Sequence, residues 1–292
     1  MNSIISSIDP IAFRLGPIEV AWYGIIIVTG MFAAVWLSMK EAGRRGIEED
    51  FIVDMAFWII PAGIIGARLY YVLFELQTYL ADPIRIFYFW EGGLAIYGGL
   101  ILGFITLYWY ANKRNVPLWL LVDILAPHVM LAQAIGRWGN FINQEAHGTE
   151  VTRQFLERLQ LPDFIINQMN IDGSYYHPTF LYESVWNLIG FAILMTLRAK
   201  TKLFRRGEVF FSYLIWYGFG RFFIEGLRTD SLYIGGVLRV SQVLSLVLFV
   251  VGIGLIIYRR LYVYPTPPYY AVGIEPEKIF EEKRRKYENS KK

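Results

Sequence analysis

Arg137, Asn140, Asn143, Glu145 and Gly148 fall within thirteen residues, 136–148, together with Gly136 and Gly139. A guanidinium offers a planar fork of donors that suits carboxylate and phosphate. Flanking glycines let backbone N–H groups approach an anion. Asn140 and Asn143 are three apart and share a face if a helix continues through them. A carboxylate such as Glu145 either orients the arginine or serves as a base. The stretch ends a long apolar run and opens the longest polar loop, so the chemistry it suggests is capture of a charged lipid headgroup at a membrane surface. A capped helix end with a tight turn explains the glycines and asparagines, but not an arginine and a glutamate beside them.

A second constellation is Tyr217, Arg221, Glu225 and Arg228, spaced i, i+4, i+8 and i+11. That spacing stacks them on one helical face. An ion-pair ladder that only joins helices is the simpler reading. Two arginines against one glutamate leave a positive charge over, however, and such a surplus in a low-dielectric wall suits a phosphate. Arg68 also lies in an apolar run, where an ionised side chain must face protein, water or ligand. Tyr23 sits near the outer end of the first run. Trp90-Glu91-Gly92-Gly93 and Gly98-Gly99 bracket Tyr97 and permit close backbone approach. His128, following Asp123 and Pro127, reads as half of a helix–helix hydrogen bond. Thr179 after Pro178 reads as a helix start, with Tyr182 and Glu183 in its first turns.

The elements that must position these groups are apolar runs. The 292 residues are 55% hydrophobic and 18% charged, against about a quarter charged in soluble domains. Several runs approach the roughly 20 residues that cross a bilayer core, which defines an all-α, polytopic membrane bundle and excludes an alternating β-barrel pattern. Seven spans are expected, near 18–39, 51–76, 94–111, 118–135, 179–197, 208–227 and 237–258. Basic clusters follow the first, third, fifth and seventh: Arg44 and Arg45; Lys113 and Arg114; Arg198, Lys200, Lys202, Arg205 and Arg206; Arg259 and Arg260. Positive loops stay cytoplasmic, so the N-terminus is outside, the C-terminus inside, and the motif faces outward. Residues 1–262 form the membrane domain, with 149–176 an extracytoplasmic insertion. Residues 263–292 form a cytosolic tail, read chiefly as a solvated appendage and alternatively as one that meets anionic lipid. No removable signal peptide is evident. The chain has no cysteine, which excludes a cysteine nucleophile and thiolate metal sites, and its three histidines are too scattered for a metal centre. Nothing calls for a cofactor or a nucleic-acid partner. An anionic-solute transporter is a second reading; it requires polar residues that continue to the cytoplasmic side, whereas they gather at the outer half.

With these residues in view, the chain resembles the prolipoprotein diacylglyceryl transferase family. The resemblance spans nearly all of 15–260. It is carried by Gly136-Arg137, Gly139-Asn140-Phe141, Asn143, Glu145 and Gly148, and supported by Trp22-Tyr23-Gly24, Gly66-Ala67-Arg68, Gly92-Gly93-Leu94, Gly98-Gly99-Leu100, His177-Pro178-Thr179 with Leu181-Tyr182-Glu183, and Tyr217 through Arg228. It implies transfer of the diacylglyceryl group of phosphatidylglycerol to the lipobox cysteine of a preprolipoprotein, in a bacterial cytoplasmic membrane, at the outer leaflet. Another phospholipid headgroup transferase is a further alternative. On that resemblance Arg137, Arg221, Tyr97 and Glu145 are the catalytic candidates. Tyr23, Arg68, Asn140, Asn143, Gly148, Tyr217, Glu225 and Arg228 are the substrate-binding candidates. Family members often carry histidine where this chain has Tyr97, and a phenol of pKa near 10 is a poor base at neutral pH. Glu145, Tyr97 or no single residue takes the thiol proton.

Overall fold

A computed structural model of the chain describes residues 8–16, 18–200, 203–234, 237–262 and 266–290. Lys202, the start of the tail at 263–265 and the side chain of Glu91 lie outside the described residues. The long helices are α1 (Trp22–Arg44), α2 (Glu49–Phe74), α4 (Ile96–Lys113), α5 (Leu118–Ile142), α8 (Thr179–Ala199), α9 (Glu208–Leu227) and α10 (Val240–Leu261). Between and after them lie the shorter α3 (Leu76–Ala81), α6 (Arg153–Arg158), α7 (Asp163–Gln168) and α11 (Glu275–Ser290). Among the described residues five helices, α1, α2, α5, α8 and α10, are long and apolar enough to cross a membrane. The two others expected as spans are diluted: α4 carries three glycines and three tyrosines, and α9 carries Glu208, Arg221 and Glu225.

The bundle has the inverted polarity that a lipid solvent selects. Phe32, Phe57, Leu73, Phe104 and Val250 are exposed, whereas Glu41, Asp123, His128, Glu183, Arg198 and Glu225 are buried. With no water in a bilayer core, buried charges survive only when opposite charges or backbone groups inside the protein compensate them. α5 is the central helix and packs against α1, α4, α8 and α9, while α2 pairs with α4 and α10 lies on α9.

Several boundaries differ from expectation. Residues 18–21 are extended, because β1 (Ile11–Leu15) and β2 (Ile18–Ala21) form a hairpin ahead of α1. The loop after α5 is a folded unit rather than a plain loop. Its α6 and α7 sit beside a three-stranded antiparallel sheet in the order β3 (Glu150–Val151), β5 (Ser174–Tyr176), β4 (Asn170–Ile171). Leu156, Ile165, Ile166 and Met169 bury against Phe141 and Phe180. Gln168 joins this unit to the bundle by donating to the carbonyls of Phe141 and Ile142 at the end of α5, two acceptors that a helix terminus leaves unpaired. A small hairpin, β6 (Tyr233–Ile234) with β7 (Leu238–Arg239), connects α9 to α10. The all-α reading therefore holds for the bundle and not for these connections.

Glycine sets how closely α2 and α4 approach. A Cβ added at Gly98 would fall on the carbonyl of Gly66, and one at Gly66 on the carbonyl of Gly98. The backbones are near enough for Ala95 N–H to donate to Ala67 O across the pair at 3.0 Å. Gly98→Ala is expected to cost about 1–3 kcal/mol, as for overpacking elsewhere, read as a lower thermal midpoint in detergent. Gly63→Ala, whose Cβ would sit 3.8 Å from Gly99 O, should leave the midpoint unchanged.

Candidate active site

Arg137, Glu183 and Arg221 meet where α5, α8 and α9 converge. Both guanidiniums pair with the one carboxylate of Glu183, Arg137 through Nε and Arg221 through Nη1. Arg221 also pairs with Glu225 one turn along α9, at 2.5 Å. Glu183 and Glu225 are buried, only 6% and 2% exposed, so each depends on its arginines for charge compensation. Arg137 Nη1 donates to Asn140 Oδ1 at 3.3 Å, and Asn140 Nδ2 donates to Glu145 at 2.8 Å. The chain Glu145–Asn140–Arg137–Glu183–Arg221–Glu225 thus runs from an exposed carboxylate into the bundle.

Local structure explains the order. Residues 136–142 continue α5 as its last two turns, so the N–H groups around Arg137 are spent on the helix and do not form an anion cradle. The glycines there provide room instead: a Cβ at Gly139 would meet the ring of Tyr23. That fit seats Tyr23 within electrostatic reach of Glu145 and Arg137. After α5 the chain reverses through Gln144 and Ala146, both with left-handed φ (52° and 57°), and Glu145 N–H returns to Asn140 O at 3.0 Å. Asn143 follows the helix end, is exposed, and among the described residues makes no side-chain hydrogen bond.

Gly148 is buried at a crossing of three segments. Its N–H donates to His177 O, and it bridges Arg228 while Thr149 N–H donates to Leu227 O. A Cβ there would strike His177 and the Leu227 carbonyl. Its contribution is to tie the ends of α5, α8 and α9 together. Thr179 adds a hydroxyl bond to Ala146 O at 2.5 Å. His177 Nδ1 lies 3.2 Å from the Tyr182 hydroxyl, and burial lowers the imidazole pKa.

Arg228 leaves the ladder. α9 ends at Leu227 and Arg228 is extended, so the i+11 register is lost and its fork closes on Asp230 (2.9 and 2.6 Å). The Arg228 fork holds the Asp230 carboxyl below its usual range. Glu225 therefore orients Arg221 but not Arg228, and the expected surplus of two arginines over one glutamate is absent from that face. One positive charge returns from Arg239, whose Nη1 caps the Glu225 carbonyl and which has no carboxylate partner among the described residues. Tyr217 stacks on Tyr213, and Tyr97, in the first turn of α4 beside Tyr70, is within electrostatic reach of Tyr217.

Arg68 stands apart from this cluster. Its guanidinium donates to four main-chain carbonyls, those of Ile86 (2.9 Å), Gly92 (2.6 Å), Gly93 (3.0 Å) and Arg85 (2.5 Å). Its fork is spent on the connection between α2 and α4. Two residues join the cluster without having been assigned a role from the sequence: Glu183, noted only in the first turns of α8 and here the carboxylate shared by both arginines, and Arg239. Glu183 carried a usable signal, an ionisable residue inside an apolar run, by the same criterion that singled out Arg68.

Polar groups do not gather at one end only. About 13 Å along α5 from Arg137, nine residues at 1.5 Å each, His128 lies between Ser38 Oγ at 2.8 Å and Arg198 Nη2 at 3.2 Å. Arginine only donates, so Nε2 accepts and Nδ1–H donates to Ser38. Arg198 pairs with Glu41, which also accepts from Arg45 and from the Tyr269 hydroxyl at 2.6 Å. Tyr269, in the tail, is 1% exposed and closes this end of the bundle. Arg206, also fully buried, donates to the tail carbonyls of Ala271 and Gly273 and pairs with Glu277 of α11. Asp123 caps α9 from α5 by accepting from the N–H groups of Gly207 and Phe210. Gly207 adopts φ +97° there, a conformation that glycine alone takes without strain. These groups are paired among themselves and sealed by the tail.

Fold and site together define a bundle of membrane-type helices in which two arginines from different helices share one buried carboxylate. The sequence profile described as prolipoprotein diacylglyceryl transferase matches residues 10–258. Phosphatidylglycerol–prolipoprotein diacylglyceryl transferase of Enterococcus faecalis is 57% identical over 257 residues, covering 88% of this chain and 92% of its own. The proteins of the same name from Listeria monocytogenes and Lactobacillus acidophilus are each 54% identical, covering 92% and 88% of this chain and 96% and 92% of their own. The chain belongs to the prolipoprotein diacylglyceryl transferase family.

Proposed function

We propose that the chain transfers the diacylglyceryl group of phosphatidylglycerol to the lipobox cysteine thiol of a preprolipoprotein, the reaction its relatives' names describe in outline. The observation that carries the reading is the single carboxylate of Glu183 held by two arginines from different helices. A phosphate has more acceptor oxygens than a carboxylate and suits the same forks. A headgroup phosphate arriving there takes the place of Glu183 on Arg137 and Arg221. The thiolate sulfur attacks the glyceryl carbon and a C–S bond forms. The C–O bond to phosphate breaks, and its electron pair leaves on glycerol phosphate, where the two guanidiniums stabilise the charge. The surrounding cations favour thiolate over thiol, whose free pKa is about 8.5, and the proton the thiol gives up passes to water at the exposed Glu145 end of the site. Tyr97 serves as a hydrogen-bond donor beside Tyr217, and Asn140 and Glu145 hold Arg137 from the exposed side.

In this reading the protein sits in the bacterial cytoplasmic membrane with seven spans, α4 and α9 completing the five more apolar helices. Support for the orientation comes from the basic residues at the starts and ends of helices around the Tyr269 end: Arg45, Arg198, Arg206, Arg259 and Arg260. Positive segments stay cytoplasmic, so the Arg137 cluster faces the outer leaflet. Residues 149–176 form an extracytoplasmic unit over the site, and 263–292 a cytosolic tail.

Transfer of labelled glyceryl lipid from phosphatidylglycerol to a lipobox peptide tests the activity. Arg137→Ala and Arg221→Ala should each lower kcat/KM by about a hundredfold or more, and undiminished transfer in both would remove the proposed phosphate site. Tyr97→Phe should cost about tenfold, the loss of one hydrogen bond of about 1.4 kcal/mol. A loss as deep as that of the arginine variants would instead make the Tyr97 hydroxyl the proton acceptor.

A further inference from the structure

α8 and α9 carry one device twice. Trp186 is followed four residues later by Gly190, and Trp216 by Gly220. The two indoles stack with centroids 4.3 Å apart and planes 18° apart. Each indole N–H donates to the other tryptophan's carbonyl at 3.0 Å. Each ring occupies the space a Cβ would take on the facing glycine, Trp186 over Gly220 and Trp216 over Gly190. The seam between the helices is therefore closed by a reciprocal pair of rings at this level.

Toward the Arg137 end the same seam is open. Tyr182, Trp186, Phe219, Phe223, Ile224 and Leu227 line a groove of about 260 Å³. Its walls share turns with the charged cluster: Tyr182 precedes Glu183, and Ile224 precedes Glu225. Phe219 and Phe223 are exposed on its outer lip, so it opens sideways from the bundle.

Size and chemistry limit the occupant. A helix about 10–12 Å across needs an open seam longer than this one, which the Trp186–Trp216 stack closes. An extended peptide would leave backbone N–H and C=O groups without partners in an apolar wall. A flexible hydrocarbon chain has no such groups. From Leu227 to Gly220 the wall rises through seven residue steps, ~10 Å of helix, which accommodates only the part of a chain nearest its ester.

We infer that this groove seats the carboxyl-proximal segment of one acyl chain of the phospholipid substrate, with the Trp186–Trp216 stack as the floor that turns the rest of the chain outward. The inference rests on the phosphatidylglycerol reading above and adds where that lipid's chain lies and what limits it. The floor makes Trp186 a specificity-determining residue: bulk near the ester is sensed, and length beyond the floor is not.

The test uses the whole chain in lipid nanodiscs and two phosphatidylglycerol probes, one with a diazirine near the ester and one with it near the methyl end. After photolysis, the ester-proximal probe should label peptides containing Trp186 and Phe223, with unlabelled phosphatidylglycerol competing; the methyl-end probe should not. Ile224→Phe, which narrows the groove, should raise KM for phosphatidylglycerol about tenfold, the scale of one or two methylenes in a pocket, with kcat retained. Trp186→Leu, which opens the floor, should admit the methyl-end probe, an outcome that does not depend on the Ile224 variant folding. Normal transfer with label confined to other helices overturns the groove and leaves the phosphatidylglycerol reading intact. Absence of both transfer and competition overturns both. Labelling of Trp186 and Phe223 by a diazirine in the apolar part of the lipobox peptide assigns the groove to the peptide and overturns the inference.

Discussion

Glu183→Gln should lower kcat by about a hundredfold or more while the protein remains folded, because small errors in positioning catalytic groups cost that much. Glu183 accepts from Arg137 on α5 and Arg221 on α9 at once. Glutamine keeps the volume but removes the charge, so two buried guanidiniums lose the anion that draws them together. Glu183→Ala is the harsher change. Deleting one partner of a buried ion pair costs about 3–5 kcal/mol, and here the loss should appear in the thermal midpoint as well as in turnover. Glu183→Asp separates charge from geometry: it keeps the carboxylate and withdraws it by one methylene, and its turnover should fall between wild type and Gln. Steady-state kinetics with phosphatidylglycerol and a lipobox peptide, beside unfolding in detergent, give both readouts. Turnover of the Gln variant within a few fold of wild type would mean that the arginines hold their places without Glu183.

Arg68→Ala carries the second large effect, on stability rather than on chemistry. One guanidinium supplies four carbonyls of the connection between α2 and α4, and hydrogen bonds to a charged group contribute about 1.5–3 kcal/mol each before the cost of burying the ion. A net loss of about 3–5 kcal/mol is expected. Arg68→Lys should not restore it, since an ammonium is a point charge with three donors and no planar fork. Hydrogen exchange reads the result locally: amides of residues 82–93 should lose protection in both variants. Unchanged protection together with lost transfer would return Arg68 to the substrate site, the place its position in an apolar run suggests.

The contrast between these two residues shows what the sequence could and could not convey. The long helices were legible because an apolar run near 20 residues, in a chain so poor in charge, has little use except to cross a bilayer. Arg137 and Arg221 stood out for the same reason, as ions where ions are costly. Glu183 was visible too, but not as the partner of both, because it comes from a third helix and no spacing along the chain reports a meeting in space. Arg228 was misplaced because the i+11 count assumes a helix that ends one residue earlier. Gly136 and Gly139 read as glycines that open backbone N–H groups to an anion, yet in this bundle they are helical positions that make room, Gly139 for Tyr23. The unit after α5 read as loop because α6 and α7 are six residues each, too short to show a period. Its core exists only once Leu156, Ile165 and Ile166 fold back onto Phe141 and Phe180.

The docking of Tyr269 bears on how the protein is made. Chains fold broadly from the N-terminus as they are synthesised, so the helices carrying Glu41 and Arg198, and Arg206 in the turn before α9, exist before residues 266–277 do. Until that segment arrives, Arg206 lacks Ala271, Gly273 and Glu277, and Glu41 lacks the Tyr269 hydroxyl. Residues 266–277 thus complete the far end of the bundle after its long helices have been made. A product that stops short of them leaves the Arg206 guanidinium without these three acceptors, while Glu41 keeps Arg45 and Arg198.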